Sequence, residues 1–263
     1  MDGLVAGVCG RLCAVPDPQD EPEAPLAVPA LAEAEAHVWL VDLIGADPGS
    51  TTLSAVERDR ATTIGDPEAR RRFTATRTAV RRVLGGYLDV PPSAVPLRQR
   101  CPDCAGPHGR PEVLSVSRPL VLSISHSGDL AAIAVARSGD VGVDVERGGP
   151  HLRPARIADR RFARDEAAYV RSAPDEAGTT ARFLRIWTRK EAYLKATGAG
   201  LTRPMSSFAV SGTDPAALLR VVGDDAARWS LVDLPLPDGM AGAVALPARH
   251  TVRILELTAI TSG

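Results

Sequence analysis

The chain has 263 residues, 44% hydrophobic and 24% charged, enough apolar material for one large domain or two small ones sharing a core. With 31 Lys and Arg against 32 Asp and Glu, its formal net charge is -1, which excludes a polycationic nucleic-acid binder and makes any phosphate-binding surface local. No apolar run approaches the roughly 18 residues of a membrane helix, and the start, Gly3 to Val15, is interrupted by Arg11 and has no basic leader, so a cytoplasmic protein is expected.

Residues 1–36 read as a flexible extension, with prolines at 16, 18, 22, 25 and 29, and residues 1–30 are expected to be dispensable for chemistry. His37 to Leu43 reads as a strand, and Ser54 to Glu57 as a capping box opening a short helix. Asp66-Pro67 starts a longer helix whose stripe is Phe73, Thr76, Val80, Val83 and Tyr87, with Gly85-Gly86 as its stop. The same stretch carries Arg70, Arg71, Arg72, Arg77, Arg81 and Arg82. Most of these form a solvated face, with Arg77 and Arg81 neighbours on one side.

Residues 98–120 form a connection rich in Pro, Gly and Cys. Within it Cys101-Pro-Asp-Cys104 has zinc-knuckle spacing, with His108 nearby and Cys9 and Cys13 far upstream. A structural zinc site needs four ligands, so a reduced loop turn is the simpler reading. Leu120 to Ile124 is a strand, Ser125 to Asp129 a turn-rich break, and Leu130 to Ala136 a second strand. After a hairpin-like turn at Ser138-Gly139-Asp140 comes a third, Val141 to Glu146. Helices follow at about 159–171 and 178–196, then short strands with Pro and Gly turns. This mix is α+β rather than regular βαβ winding.

Three constellations carry chemistry. In Gly142-Val143-Asp144-Val145-Glu146, strand alternation puts the valines on one face and Gly142, Asp144 and Glu146 on the other. Two carboxylates on one face suit Mg²⁺, or else an exposed edge strand. On a helix, Trp187, Glu191 and Lys195 stand at i, i+4 and i+8. The plain alternative is a surface Glu–Lys pair with Trp187 in the core. Ser125-His126-Ser127 can hold a phosphate on turn amides and hydroxyls. A Ser–His hydrolase pair is disfavoured, because adjacent residues rarely face each other and no nucleophile elbow is present.

In combination and in this order, the motifs resemble the phosphopantetheinyl transferase superfamily, in particular its surfactin-synthetase-priming (Sfp) type. That family shows a G-x-D-x-E strand, here Gly142 to Glu146, and some forty residues later a W-x-x-K-E-A-x-x-K helix, here Trp187 to Lys195. The Ser-His-Ser segment, Gly109-Arg110-Pro111, the arginine helix ending Arg81-Arg82-Val83-Leu84, and Gly198 to Leu201 fit as well. The loop Cys101 to Arg110 resembles discrete actinobacterial members.

The resemblance implies two similar α+β halves, 37–140 and 141–263, related by a pseudo-twofold axis with coenzyme A in the cleft between them. It implies transfer of phosphopantetheine from coenzyme A to a serine of an acyl or peptidyl carrier protein, releasing 3',5'-ADP. By analogy Asp144, Glu146 and Glu191 hold Mg²⁺, and Glu191 is also the candidate base. Lys195 neutralises phosphate or orients Glu191. Arg81, Arg110, Ser125 and His126 grip the cofactor, with Arg at position 110 where Lys is usual. Trp187 and Tyr193 remain core residues. The expected partner is an acidic helical carrier of a siderophore, polyketide, peptide or fatty-acid pathway, with no nucleic acid or membrane, and the enzyme is expected to be monomeric. The alternatives are another Mg²⁺-dependent phosphotransferase or hydrolase acting on a nucleotide-containing molecule, for which no P-loop is present, and a non-catalytic binding module, against which the intact Asp144, Glu146, Glu191 and Lys195 speak.

Overall fold

The computed structural model describes residues 23–44, 52–99, 106 and 109–257. The candidate zinc ligands Cys9, Cys13, Cys101, Cys104 and His108 lie outside these. The described residues form an α+β structure of four layers: a long helix, a four-stranded sheet, a three-stranded sheet and a second long helix.

The first half opens with β1 (Glu35–Asp42). Helix α1 (Ala55–Thr62) follows, with the expected capping box: the Ser54 hydroxyl accepts from Glu57 N–H, and Glu57 accepts from Ser54 N–H. Helix α2 (Pro67–Leu88) is capped by Asp66. The short strands β2 (Leu97–Gln99) and β3 (Pro111–Val113) pair with each other. Strands β4 (Val121–Ser127) and β5 (Leu130–Ala136) form a hairpin around Gly128-Asp129. Ser125 to Ser127 therefore belong to a strand and not to the expected break. Alternation then gives β5 two buried faces. Ala131, Ile133 and Val135 meet Val80, Val83, Leu84 and Tyr87 of α2, each large side chain contributing about 1.5–3 kcal/mol. Ala132, Ala134 and Ala136 meet the second sheet.

The second half begins with β6 (Gly142–Arg147). The turn at Ser138-Gly139-Asp140 does not make the expected hairpin, because β5 and β6 belong to different sheets and the chain there passes from one to the other. Helices α3 (Pro154–Arg161), α4 (Arg164–Arg171) and α5 (Glu176–Thr197) follow. Then come β7 (Phe208–Val210), β8 (Leu218–Val221), β9 (Trp229–Asp233), β10 (Met240–Pro247) and β11 (Thr251–Leu257). The second sheet has the order β6-β10-β9. Val141, Val143 and Val145 point from it into the interface between the sheets, as alternation required.

β11, from the end of the expected 141–263 half, lies parallel to β1 of the 37–140 half and completes the first sheet, β11-β1-β5-β4. The last part of the expected loose extension is seated on α2: Leu26 and Val28 pack on its core, Leu31 is buried, and Glu23 meets Arg82 at 2.6 Å. Gly85 and Gly86 do not stop α2, which runs on to Leu88 and ends at Asp89 with φ 61°. They admit close passage of chain, since a Cβ on Gly86 would lie 2.4 Å from the Leu26 carbonyl oxygen.

Candidate functional site

The site is built where β6 lies under α5. A Cβ on Gly142 would stand 2.0 Å from the Ala192 carbonyl oxygen and 2.3 Å from Ala196 N, so only glycine lets strand and helix come this close. That approach brings Lys195 of α5 onto β6. Its Nζ lies 2.8 Å from Asp144 Oδ1 and 3.0 Å from the Val143 carbonyl, and reaches the Ile124 carbonyl of β4 at 3.4 Å. Lys195 is thus hydrogen-bonded to Asp144, and among the described residues no hydrogen bond joins it to Glu191.

Asp144 is 4% exposed. Its Oδ1 also accepts from the Ser125 hydroxyl at 2.9 Å, while its Oδ2 is buried with no hydrogen-bond partner. Burial raises the Asp144 pKa, against the lowering effects of Lys195 and Ser125. Glu146 and Glu191 are both raised as well, first by burial and next by the negative charge of Asp144. Three mutually repelling carboxylates around one lysine, with a buried oxygen left over, form a donor set suited to a hard divalent cation. Among the described residues no three His, Cys, Asp or Glu side chains converge into a preformed metal cage.

Along the open edge of β6, strand β4 supplies a row of serines. Ser123 Oγ accepts from Val143 N–H at 3.0 Å, Ser125 donates to Asp144, and Ser127 donates to Glu146 Oε2 at 3.0 Å. The Ser125 hydroxyl is therefore engaged on a carboxylate. His126 points to the opposite face of β4, toward α2. His126 is exposed, and its pKa is lowered first by desolvation and then by the charges of Lys195, Arg77 and Arg72.

Arg81 does not join this group. It is 2% exposed; its Nε meets Glu57 at 2.6 Å, and its Nη1 donates to the carbonyls of Pro92, Ser93 and Val95. The capping-box carboxylate of α1 has captured it. Arg77, one turn earlier, stands on the His126 side instead. It donates to Gln99, whose amide in turn donates to the Gly109 carbonyl beside Arg110. Arg110 is exposed and reaches the Val141 carbonyl at the start of β6.

The rest of the α5 motif is core. Lys190 is fully buried, 2.8 Å from Glu166 and bonded to the carbonyls of Met205 and Phe208. Trp187 packs with Phe162 and Phe183, and Tyr193 with Phe208 and Trp229, as expected for both. The sequence places Arg77 only on the solvated arginine face and Ser127 only in the phosphate-holding Ser125-His126-Ser127 segment, not beside Glu146. The i, i+2, i+4 serines were the available signal for the second, once β4 is extended to Ser127. A cleft of about 830 Å³ opens past the end of β6, lined by Gly148, Thr180, Leu184, Thr188, Leu234 and Met240 among others, and contains none of the three carboxylates.

Residues 140–245, which carry β6 and α5, match the sequence profile of the 4'-phosphopantetheinyl transferase superfamily. The 4'-phosphopantetheinyl transferase HetI of Nostoc sp. is 36% identical over 223 residues, 81% of this chain and 87% of its own. A putative 4'-phosphopantetheinyl transferase of Synechocystis sp. is 31% identical over 70% of this chain and 72% of its own. The enzyme psf-1 of Bacillus pumilus is 33% identical over 58% and 63%. With a strand of paired carboxylates lying against the lysine of α5, and with similarity along most of its length, the chain belongs to the 4'-phosphopantetheinyl transferases, enzymes that transfer phosphopantetheine to carrier proteins.

Proposed function

We propose that Asp144, Glu146 and Glu191 hold Mg²⁺ on the pyrophosphate of coenzyme A while a carrier serine attacks the phosphorus that bears pantetheine. The carrier Ser–O–P bond forms, the bond between that phosphorus and the bridging oxygen breaks, and the pair leaves with 3',5'-ADP. Bound there, the cation offsets charge on the leaving group. The observation that carries the reading is the buried, unpartnered Asp144 Oδ2 within a cluster of three raised carboxylates.

The chain's own groups do the positioning that such a transfer needs. Lys195 and Ser125 fix Asp144. Glu191 accepts the serine proton through a water and shares the metal, its raised pKa making it a better base than an ordinary carboxylate. Arg77, His126 and Arg110 grip the phosphates of the adenosine end, Arg by its planar fork. Exposed Arg153, Arg156, Arg160, Arg161 and Arg164 on and before α3 and α4 suit an acidic helical carrier. The two 22-residue helices α2 and α5, each laid across one sheet, support two related halves with the cofactor between them. A monomeric enzyme of the cytoplasm completes the proposal.

The test is intact-mass spectrometry of an apo carrier incubated with coenzyme A, Mg²⁺ and the enzyme. Transfer adds one phosphopantetheine group, about 340 Da, to the carrier. Release of 3',5'-ADP without that gain would indicate a hydrolase, and metal-independent turnover by an Asp144→Ala variant would overturn the metal assignment.

A further inference from the structure

Strand β4 faces β6 with Ser123, Ser125 and Ser127, and their hydroxyls are not equivalent. Ser123 serves backbone alone, accepting from Val143 N–H. Ser125 shares Asp144 with Lys195. Ser127 accepts from Arg147 N–H at 3.0 Å and stands 3.0 Å from Glu146 Oε2. A hydroxyl has one proton; with an amide donating to its oxygen, that proton is directed onto the carboxylate.

Glu146 needs such a hold more than Asp144 does. Its longer side chain loses more rotamer freedom when fixed. Asp144 and Glu191 repel it, and it lies toward the end of β6, where the next residue but one lines the open cleft. An untethered Glu146 would swing to solvent, away from the like charges.

We propose that Ser127 is a positioning residue for the transfer reaction, holding Glu146 beside Asp144 and Glu191 and so setting the affinity for the divalent cation. The proposal rests on the reading of those three carboxylates as the metal site.

The experiment titrates Mn²⁺ into the enzyme–coenzyme A complex, reading free metal by electron paramagnetic resonance, with thermal unfolding alongside. Ser127→Ala should weaken Mn²⁺ binding about 10–100-fold, the usual effect of removing a group that orients a ligand. Ser127→Thr, which keeps the hydroxyl, should recover most of it. Ser123→Ala removes a seam contact without touching a carboxylate, so it should lower the melting temperature and leave the affinity within about twofold. Should Ser127→Ala not fold, Ser127→Cys keeps the volume with a weaker donor and should still weaken binding. Wild-type affinity in a folded Ser127→Ala or Ser127→Cys protein overturns the proposal, as does an equal loss in Ser123→Ala. An Asp144→Asn variant separates the two levels: if it too binds Mn²⁺ normally, the metal site itself is wrong, whereas loss there with none at Ser127 removes only the role of the serine.

Discussion

Gly142→Ala is the substitution for which the structure sets the sharpest expectation. The new methyl would meet the Ala192 carbonyl oxygen at 2.0 Å and Ala196 N at 2.3 Å, both backbone atoms of α5. Neither can rotate away, so the helix must lift from the strand by about 1 Å to restore ordinary contact. Overpacking against a rigid wall costs about 3 kcal/mol, which in a chain of this size lowers the melting temperature by roughly 6–12 °C. The same lift stretches the Lys195–Asp144 and Lys195–Val143 contacts, 2.8 and 3.0 Å, beyond hydrogen-bonding range. A displacement of that size at a reacting site costs on the order of 100-fold in rate. Scanning calorimetry and a mass-spectrometric progress curve read both effects. Gly148→Ala, on the same face of the chain, is the control: its Cβ would meet the Thr180 methyl at 3.1 Å, a contact that side-chain movement relieves. If Gly142→Ala melts within about 2 °C of wild type and turns over within about twofold, the close approach of β6 and α5 is not what assembles the site.

Further expectations follow from the neighbouring contacts. Arg81→Ala strands Glu57 and three carbonyls and should cost about 3 kcal/mol of stability while leaving the KM for coenzyme A of the folded enzyme unchanged; Arg77→Ala should do the reverse, and a raised KM in Arg81→Ala alone would contradict this division of labour. Because burial raises the Asp144 pKa above its ordinary 3.8, stability from its protonation is present below that value and lost as pH rises through the folded value. In metal-free buffer the melting temperature of Asp144→Asn should therefore gain on wild type as pH rises from about 4, and Mg²⁺ should close the gap; a pH-independent difference would speak against it. Deleting residues before Leu31 removes Leu26 and Val28 from the core they share with α2 and should cost about 2 kcal/mol, so a truncated chain with wild-type thermal stability would show that the segment is not seated as described.

The strands that alternate cleanly were legible from sequence. Leu130 to Ala136 is β5 to the residue, and the valines of β6 face the interior because period-2 patterning leaves no other choice. The helix starts at Ser54 and Asp66 were legible through their caps. Polar residues misled in two ways. Ser125-His126-Ser127 reads as a turn by composition, yet the Ser127 hydroxyl accepts from the β6 backbone at Arg147, the Ser125 hydroxyl bonds Asp144, and the segment's backbone continues the ladder with β5. Arg77 and Arg81 are equivalent by helical spacing, and only the docking of α1 decides that Arg81 is taken by Glu57. The pairing of β11 with β1 joins residues more than two hundred positions apart, which no local pattern encodes.

That pairing also fixes the order in which the molecule can be finished. As the chain leaves the ribosome, β1 finds β5 early, but its other edge stays open through the synthesis of the whole second half until Thr251 to Leu257 emerge. During that interval β1 is an exposed, mostly apolar strand edge, the kind that recruits a wrong partner. Closure depends on contacts of very high sequence separation and should be slow. The first half is thus unsuited to expression on its own, and a fusion placed directly after Leu257 would act on the central sheet rather than on a peripheral tail.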